Sequence, residues 1–355
     1  MICSRAPLSG NVEILRVVAS AATHKGRDYK NNQLERTTMN WSTKKILVTG
    51  GNGFLGHAVV AQLQRLGVKE LFIARSKNYD LTKETEVVRL FSDFKPDIVF
   101  HLAGLVGGIL PNKERPAEFF YRNLMMGTLL LHYAQQAGAE KFVAAGAGCG
   151  YPEHAPIPLS EISFWNGLPQ KESAPYSLAK RLLTVQSEAY YRQYGFVSII
   201  CVPGNLYGPW DNFNLHDAHV IPALVRKFVE AVQAKAPNVG VWGDGRPSRD
   251  FVYVDDVALG MIRAVDVYER NEVVNISSGV ETTIREVCEH LAVLTGFAGK
   301  IEWDATKPGG QLRRCFDISK SQRELQFVPQ TDIRAGLTKT VEWYKANWST
   351  PELRR

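Results

Sequence analysis

A glycine-rich turn near the start of the chain constrains the fold more than any other sequence feature. The run KKILVTG predicts a buried strand, and the next segment predicts a helix from Phe54 to about Gly67. Gly50, Gly53 and Gly56 lie between them. Glycines in a strand–turn–helix unit let the backbone turn tightly and bring a pyrophosphate against the N–H groups of the helix N-terminus. The pattern predicts a dinucleotide site; a plain structural turn is the alternative.

Strands and helices continue to alternate beyond this turn. LFIAR, DIVFHLA, KFVAAGA and VSIICV predict further strands, while PAEFFYRNLMMGTLLLHYAQQAG and the stretch from Tyr176 to Tyr194 predict long helices. Strands that alternate with helices indicate a parallel sheet covered on both faces. We therefore predict an α/β fold with a doubly wound parallel sheet of the Rossmann type.

The character of the chain changes after Pro203, where loops lengthen and Gly and Pro become frequent. HVIPALVRKFVEAVQ predicts an isolated amphipathic helix in this part. A length of 355 residues suits a dinucleotide domain with a smaller lobe. We predict a nucleotide-binding domain over 44–203, to which later segments return, and a mainly substrate-binding lobe over 204–348.

The first 40 residues carry six basic side chains and three acidic ones. They lack the long apolar centre that a secretory signal has. A transit peptide is disfavoured by the three acids and the scarcity of serine. Because the first strand begins only a few residues later, we expect Met39 to be the native start. The segment 1–43 is expected to lie outside the fold, disordered or not native.

Charge and cysteine content narrow the class of protein. The formal net charge is +6, but the basic residues are scattered, which favours phosphate-bearing small molecules over nucleic acid. No apolar run is long enough to span a bilayer, so no membrane partner is expected.

Five dispersed cysteines without a CxxC pair argue against disulfides and a metal site and favour the reducing cytoplasm. They are Cys3, Cys149, Cys201, Cys288 and Cys315.

Basic residues follow the second predicted strand. A carboxylate at this place would bind the ribose hydroxyl of NAD and repel a phosphate, but the first charges here are Arg75 and Lys77. Cationic side chains suit the 2′-phosphate of NADP. The sequence therefore predicts NADP(H) as cofactor, with a solvated basic turn as the alternative.

Tyr176 and Lys180 are four residues apart and share one face of a predicted helix. A nearby ammonium favours a phenolate, so we expect Lys180 to lower the pKa of Tyr176. A tyrosine tuned in this way can pass a proton to or from a sugar oxygen. The alternative is two surface residues on an amphipathic helix.

Longer strings identify a family. HLAGLVGGI, CGYP, YSLAK, PGNLYGPWDNF, HVIPALVRKF, VWGDGRPSRDFVYVDD and KPGG follow in this order between Lys44 and Trp348. NLYGP and YVDD belong to many extended short-chain dehydrogenases, whereas VGGI, DNF and HVIPAL are more particular. Through these strings the chain resembles the GDP-L-fucose synthase family. The resemblance implies epimerisation of a GDP-linked 4-keto-6-deoxy sugar at carbons 3 and 5, followed by reduction at carbon 4 with NADPH.

The resemblance also implies roles for individual residues. Cys149 and His219 would exchange protons at the carbons beside the ketone. Considered alone, Cys149 suggests a small buried side chain, and His219 suggests a residue at the start of a helix. Trp242 alone suggests a core tryptophan. The implied catalytic residues are Tyr176, Lys180, Cys149 and His219. The implied cofactor-binding residues are Gly50, Gly53, Phe54, Leu55, Gly56, Arg75, Asp80, Leu81, Ala103, Tyr176, Lys180 and Pro203. The implied substrate-binding residues are Asn205, Leu206, Val220, Lys227, Trp242, Arg249 and Lys307.

The chain departs from the family where a triad serine is normally found, because this position is Ala147. Gly148 and Gly150 replace further side chains beside it. These changes predict a larger pocket for a related sugar, such as a keto-heptose. Two other hypotheses are an enzyme that only epimerises or only reduces, and a non-catalytic nucleotide-binding scaffold.

Extended short-chain dehydrogenases often form dimers by packing two helices from each subunit, so a homodimer is expected. The candidate surfaces are the stretch NLMMGTLLLHYA and the helix bearing Tyr176.

Overall fold

The computed structural model describes residues 38–307 and 311–348. Its larger sheet has six parallel strands in the order β2-β1-β3-β4-β5-β9. The chain first moves from β1 to β2 and then returns to the other side of β1, so the direction of winding reverses between β1 and β3. Clefts at such a reversal are where open α/β sheets bind nucleotides. The strands are Lys45–Thr49 (β1), Glu70–Ala74 (β2), Ile98–His101 (β3), Lys141–Ala145 (β4), Val197–Pro203 (β5) and Val273–Ile276 (β9).

Helices cover both faces of this sheet, and each face has its own apolar core. The strands are buried on both sides, because their side chains alternate between the two helical layers. On one face the core is completed by Phe54–Arg65 (α1) and Val254–Val267 (α7). On the other it is completed by Glu84–Asp93 (α2), Pro116–Gln136 (α4) and Ala174–Tyr194 (α5). The short helix Ile109–Glu114 (α3) precedes α4.

The remaining elements pack around a separate apolar cluster. Here Ser248–Tyr253 (β8) pairs with Asn205–Tyr207 (β6), Glu281–Thr283 (β10) and Arg313–Arg314 (β12), while Asn238–Trp242 (β7) pairs with Lys300–Asp304 (β11). The helices are Val220–Gln233 (α6), Ile284–Thr295 (α8) and Ile333–Asn347 (α10); Ser319–Leu325 (α9) packs instead beside α7 and β9. The expectation that α6 stands isolated is wrong, because its apolar face is buried against α8 and α10.

The expected N-terminal extension is outside the described residues for 1–37, but residues 38–43 belong to the fold. The backbone N–H groups of Thr38 and Met39 donate to the buried carboxylate of Asp266, both at 2.9 Å. The indole of Trp41 is buried in the core beside α1 and α7. The prediction that the whole segment 1–43 lies outside the fold is therefore wrong at its C-terminal end. None of the helices in the described ranges has the length and apolarity needed to cross a membrane.

Candidate active site

The glycine turn after β1 lies flush against the segment that follows β3. Gly50 has φ +72°, and a Cβ at this position would lie 2.6 Å from the backbone nitrogen of Ala103. A Cβ on Gly56 would lie 2.0 Å from the carbonyl oxygen of Gly50. Such approaches are closer than van der Waals contact, so a side chain at either position would force the strand and the helix apart. The turn therefore depends on glycine at Gly50 and Gly56 for its geometry.

The start of α1 offers an anion site. Gly53 precedes the helix without a capping side chain, and its own N–H donates to the Gly50 carbonyl at 2.9 Å. Phe54 and Leu55 form the first turn and pack partly into the core, while their N–H groups have no earlier helical carbonyl to bind. The open N–H groups, the helix dipole and a turn in which Asn52 carries the single side chain between Gly50 and Gly53 fit a dinucleotide pyrophosphate.

The close approach at Gly56 makes its replacement a sharp test of the turn. We expect Gly56→Ala to lower the affinity for NADPH by about 10- to 100-fold and to cost about 1–3 kcal/mol of stability, because the added methyl group overlaps the Gly50 carbonyl. Gly240→Ala is the control, since a Cβ there meets open space. Fluorescence titration with NADPH and thermal unfolding measure both effects. Equal affinities for the two variants would contradict the assigned role of the turn.

The predicted cofactor-binding residues after β2 are Arg75, Asp80 and Leu81, and they differ in exposure and in hydrogen bonding. The Arg75 side chain is exposed, as a partner for a 2′-phosphate would be. The Asp80 carboxylate accepts hydrogen bonds from Thr82 N and Oγ1 at 3.1 and 2.7 Å, which holds its pKa below the usual value. Leu81 is buried in the core. Asp80 and Leu81 therefore shape this loop, and their binding of the cofactor stays a prediction.

Lys180 extends from α5 under the nucleotide cleft. Its Nζ donates to the carbonyl of Ala145 at 3.2 Å and lies 3.3 Å from where a Cβ on Gly104 would stand. Its side chain is almost fully buried, and burial lowers the pKa of Lys180 to about 8. The ammonium is thus held where the ends of β3 and β4 meet.

The expectation that Lys180 lowers the pKa of Tyr176 is wrong, because the pKa of Tyr176 is raised. Burial raises the pKa of Tyr176, and the neighbouring Cys149 adds to the effect because a second negative charge there would repel a phenolate. The ring makes an edge-to-face contact with Phe119, with 6.2 Å between ring centroids. A phenol that keeps its proton is the form needed to donate to a ketone oxygen during reduction.

Cys149 is a neighbour of both Tyr176 and Lys180. It lies in the single turn Gly148–Gly150, which follows β4 and packs against α5, and its thiol is partly exposed and free. Tyr176, Lys180 and Arg314 are its neighbours within electrostatic range. The structure thus brings together the predicted thiol, phenol and ammonium.

The glycines beside Cys149 do not widen the pocket. A Cβ on Gly148 would lie 2.7 Å from the ring of Phe316, and one on Gly150 would lie 3.2 Å from the ring of Phe164. The space that smaller side chains leave is therefore filled by aromatic rings from distant segments. The prediction that both glycines enlarge the sugar site is wrong; Ala147, which is buried, remains the departure with a chemical consequence, because it has no hydroxyl.

His219 belongs to the second lobe. It precedes α6, and solvent reaches its ring, yet the surrounding protein lowers its pKa through desolvation. Both observations fit a side chain within an open cleft. The loop after β3 approaches the same segment, because a Cβ on Gly108 would lie 3.8 Å from the carbonyl oxygen of Asp217. The glycine loop 104–108 thus runs from Lys180 towards the segment that carries His219.

The predicted substrate-binding residues belong to several different elements of the second lobe. Trp242 is 55% exposed at the end of β7, with the ammonium of Lys307 at 5.9 Å from its ring centre, so a core role is wrong for this tryptophan. Lys227 Nζ instead donates to the Gly240 carbonyl at 2.9 Å. Asn205 and Leu206 lie on β6 directly after Pro203 and Gly204, while Val220 opens α6.

Two polar residues near the site carry no sequence signal of their role. Asn123, buried on α4, binds both Leu105 N and Leu105 O, at 3.1 and 3.0 Å, and so fixes the glycine loop after β3. Arg314 lies opposite Arg249 across the β8–β12 pair. A regular helix interior and a two-residue strand gave no pattern that singled out either residue.

The comparisons with known proteins agree with this geometry. Residues 46–277 match the NAD dependent epimerase/dehydratase family. The chain belongs to this family of Rossmann-type enzymes.

Within it, the chain is 39% identical to GDP-L-fucose synthase 1 of Arabidopsis thaliana over 313 residues, which span 88% of this chain and 97% of that protein. A crystal structure of a GDP-L-fucose synthetase from Naegleria fowleri bound to NADP is similar at TM-score 0.80, with 26% identity over 87% of this chain and 96% of that one. A GDP-D-glycero-L-gluco-heptose synthase from Campylobacter jejuni, crystallised in the presence of NADPH, is similar at TM-score 0.78, with 28% identity over 86% and 98%. The chain is a member of the GDP-L-fucose synthase group.

Proposed function

We propose that this chain is an NADP(H)-dependent epimerase and reductase that acts on a GDP-linked 4-keto-6-deoxy sugar. The observation that carries the proposal is the cluster of Cys149, Tyr176 and Lys180 beside the glycine turn. A ketone acidifies the carbons on both sides of it, so a thiol and an imidazole can exchange protons there before reduction. The similarity to synthases of GDP-linked sugars supports the nucleotide and the sugar class.

The described residues fit NADP(H). The glycine turn and the start of α1 would hold the pyrophosphate, and the exposed Arg75 would hold the 2′-phosphate. Lys180 would hydrogen-bond the nicotinamide ribose, since its Nζ lies beside Gly104 and the Ala145 carbonyl. When bound, this cofactor supplies the hydride that reduces the ketone.

The protein side chains then divide the proton transfers. His219, whose pKa is lowered by desolvation, is neutral near pH 7 and can accept a proton from carbon. The thiol of Cys149 exchanges protons with the same sugar from the β4 side of the cleft. Tyr176 keeps its proton until the ketone oxygen gains charge, and the nearby Lys180 ammonium then stabilises the phenolate that remains.

Incubation with 4-keto nucleotide sugars in heavy water tests the proposal. We expect GDP-4-keto-6-deoxymannose to gain deuterium at carbons 3 and 5 and to oxidise one equivalent of NADPH, as read by product mass and absorbance at 340 nm. A GDP-linked keto-heptose belongs in the panel, because a heptose synthase has a similar structure. Exchange without oxidation would indicate an epimerase alone, and oxidation without exchange a reductase alone. Binding without either reaction would favour the scaffold hypothesis.

Ala147 gives a prediction of gained activity. A serine here would restore a hydroxyl beside the reacting oxygen, so we expect Ala147→Ser to raise the rate of NADPH oxidation up to about a hundredfold with little change in carbon exchange. Ala155→Ser, in the loop that follows, is the control. Unchanged oxidation and unchanged substrate preference in Ala147→Ser would mean that the missing hydroxyl does not limit this enzyme.

We also infer a cytoplasmic homodimer. Exposed apolar side chains on the outer faces of α4 and α5, namely Tyr121, Leu182 and Val185, support a helical interface. The four described cysteines are free thiols, which supports a reducing compartment. Sedimentation of the protein and of a Leu182→Glu/Val185→Glu variant tests the interface, and cell fractionation tests the location.

A further inference from the structure

A flat stack of two aromatic rings joins the glycine turn to the second lobe. The imidazole of His57, on α1, lies parallel to the indole of Trp210, with the ring centroids 4.1 Å apart and 1° between the ring planes. Trp210 belongs to the β6–α6 loop, which comprises residues 208–219 and ends at His219. The stack thus connects two segments that are far apart in the chain, one from each lobe.

His57 is fixed to the glycine turn itself. Its Nδ1 donates to the carbonyl of Gly53 at 2.9 Å, and because a carbonyl only accepts, Nδ1 carries the ring proton. Gly53 is the residue that precedes α1, and its own N–H donates to the carbonyl of Gly50. The imidazole is therefore oriented by the same backbone that forms the proposed pyrophosphate site. Through the stack, this orientation reaches Trp210.

Trp210 and the residue after it occupy energetically unfavourable positions. Trp210 is 52% exposed, and its φ of +69° lies in the left-handed region that bulky residues rarely adopt. Asp211 is buried, and burial raises its pKa to about 8. Within the described part of the chain, Asp211 Oδ2 has no hydrogen-bond partner. Backbone strain and unsatisfied buried groups persist only where surrounding contacts offset them, and they cluster in functional segments.

The contacts that hold this end of the loop come from both lobes. Trp210 packs against Trp343 of α10, with 5.3 Å between ring centroids, and the buried Phe213 stacks on the same indole at 5.8 Å. Arg226 of α6 donates from Nη1 to the carbonyl of Phe213 at 3.1 Å. These three partners belong to the second lobe, while His57 supplies the contact from the nucleotide-binding domain. His57 therefore ties the loop to the glycine turn.

The rest of the loop is a series of closed turns that ends at His219. The N–H of Asn214 donates to Oδ1 of Asn212 at 2.9 Å, and the carbonyl of Asn214 accepts from the N–H groups of Asp217 and Ala218 at 3.1 and 2.7 Å. His219 follows directly and precedes α6. Because the turns are closed by hydrogen bonds, a displacement at the aromatic end of the loop is passed on to His219.

We infer that His57 and Trp210 are positioning residues, whose stack couples the glycine turn to the β6–α6 loop and so sets the place of the His219 imidazole at the sugar. The inference rests on the proposed function for the role of His219. Neither side chain needs to touch the substrate, because a misplacement of a reacting group by about 1 Å can lower a rate by about a hundredfold.

Paired assays of deuterium incorporation and NADPH oxidation on a 4-keto nucleotide sugar, at saturating NADPH, test this role. We expect Trp210→Ala and His57→Ala each to lower deuterium incorporation by about 10- to 100-fold, with NADPH oxidation within about twofold of wild type. Reduction is spared because Tyr176 and Lys180 are held by α5. Trp210→Phe should recover most of the exchange, because a phenyl ring can still stack on His57. Tyr194→Ala, equally exposed at the end of α5, is the matched control.

The double variant distinguishes a link from two independent defects. If the stack acts as a unit, His57→Ala/Trp210→Ala should lose no more than about twofold beyond either single variant.

Amide hydrogen exchange of the full chain reads the same link without requiring turnover. His57→Ala, although distant in sequence, should accelerate exchange of the amides in residues 211–218 by at least about fivefold. Bound NADP⁺ should slow exchange of these amides in the wild type but not in His57→Ala, because the stack connects them to the glycine turn.

The outcomes separate this inference from the proposed function. Equal losses of deuterium incorporation and NADPH oxidation in Trp210→Ala would indicate a general structural defect and overturn the inference. Unchanged amide exchange in His57→Ala would overturn it as well, and both results leave the proposed function intact. A wild-type protein without carbon exchange would count against the proposed function. The amides of residues 211–218 then decide the inference, since their acceleration by His57→Ala supports the link.

Discussion

Tyr176→Phe should lower the rate of ketone reduction by about 10²–10⁴-fold while leaving carbon–deuterium exchange within about twofold of wild type. The substitution removes one hydroxyl from a half-buried ring that keeps its edge-to-face contact with Phe119. Reduction needs a proton at the ketone oxygen, and burial keeps that proton on the phenol until it is required. Exchange at the neighbouring carbons instead depends on Cys149 and His219, so it should survive.

The measurement is a paired assay of NADPH oxidation and deuterium incorporation on one 4-keto nucleotide sugar. Tyr191→Phe is the control, because Tyr191 is exposed on the same helix. The wild-type reduction rate should also fall as the pH rises through about 8, where the buried Lys180 loses the proton that stabilises the phenolate. Undiminished oxidation by Tyr176→Phe would mean that another group protonates the ketone oxygen.

Five of the six strands in the larger sheet follow from local sequence patterns, whereas β9 is not among the predicted strands. Each strand is a short apolar run, and each covering helix shows a regular apolar face, so the alternation alone predicts a parallel sheet. The glycine turn could be assigned because its geometry depends on adjacent residues: Gly50 and Gly56 approach within one turn of chain. The expected isolation of α6 failed for the opposite reason, since its partners α8 and α10 begin more than 50 residues later.

The site was predictable where motifs carry the chemistry and not where packing decides it. Tyr176 and Lys180 are visible as a helical pair, but the direction of the Tyr176 pKa depends on burial that the pair does not reveal. Gly148 suggests a wider pocket until Phe316, far along the chain, is found against it. Arg314 lies in a two-residue strand, and only the register with β8 brings it beside Arg249.

Cys149→Ser should produce the inverse of the Tyr176→Phe result. A serine hydroxyl is a much weaker acid than a thiol and exchanges protons with carbon poorly near neutral pH. We expect deuterium incorporation at the carbon that Cys149 serves to fall by about 10²–10⁴-fold, while the ketone is still reduced. The product should then retain the starting configuration at that carbon, which proton coupling constants in the NMR spectrum report.

The comparison with Cys315→Ser separates chemistry from packing. Cys315 is buried on the neighbouring segment, and its sulfur lies 3.9 Å from the carbonyl of Phe316, so a serine there has an acceptor for its hydroxyl. Exchange should continue in that variant.

If Cys149→Ser and Tyr176→Phe lose exchange and reduction to the same extent, the two residues act as one unit, and separate proton transfers at carbon and oxygen are ruled out. If each variant loses one reaction, a single cleft performs two independent proton transfers around one ketone, because the thiol serves the carbon and the phenol serves the oxygen.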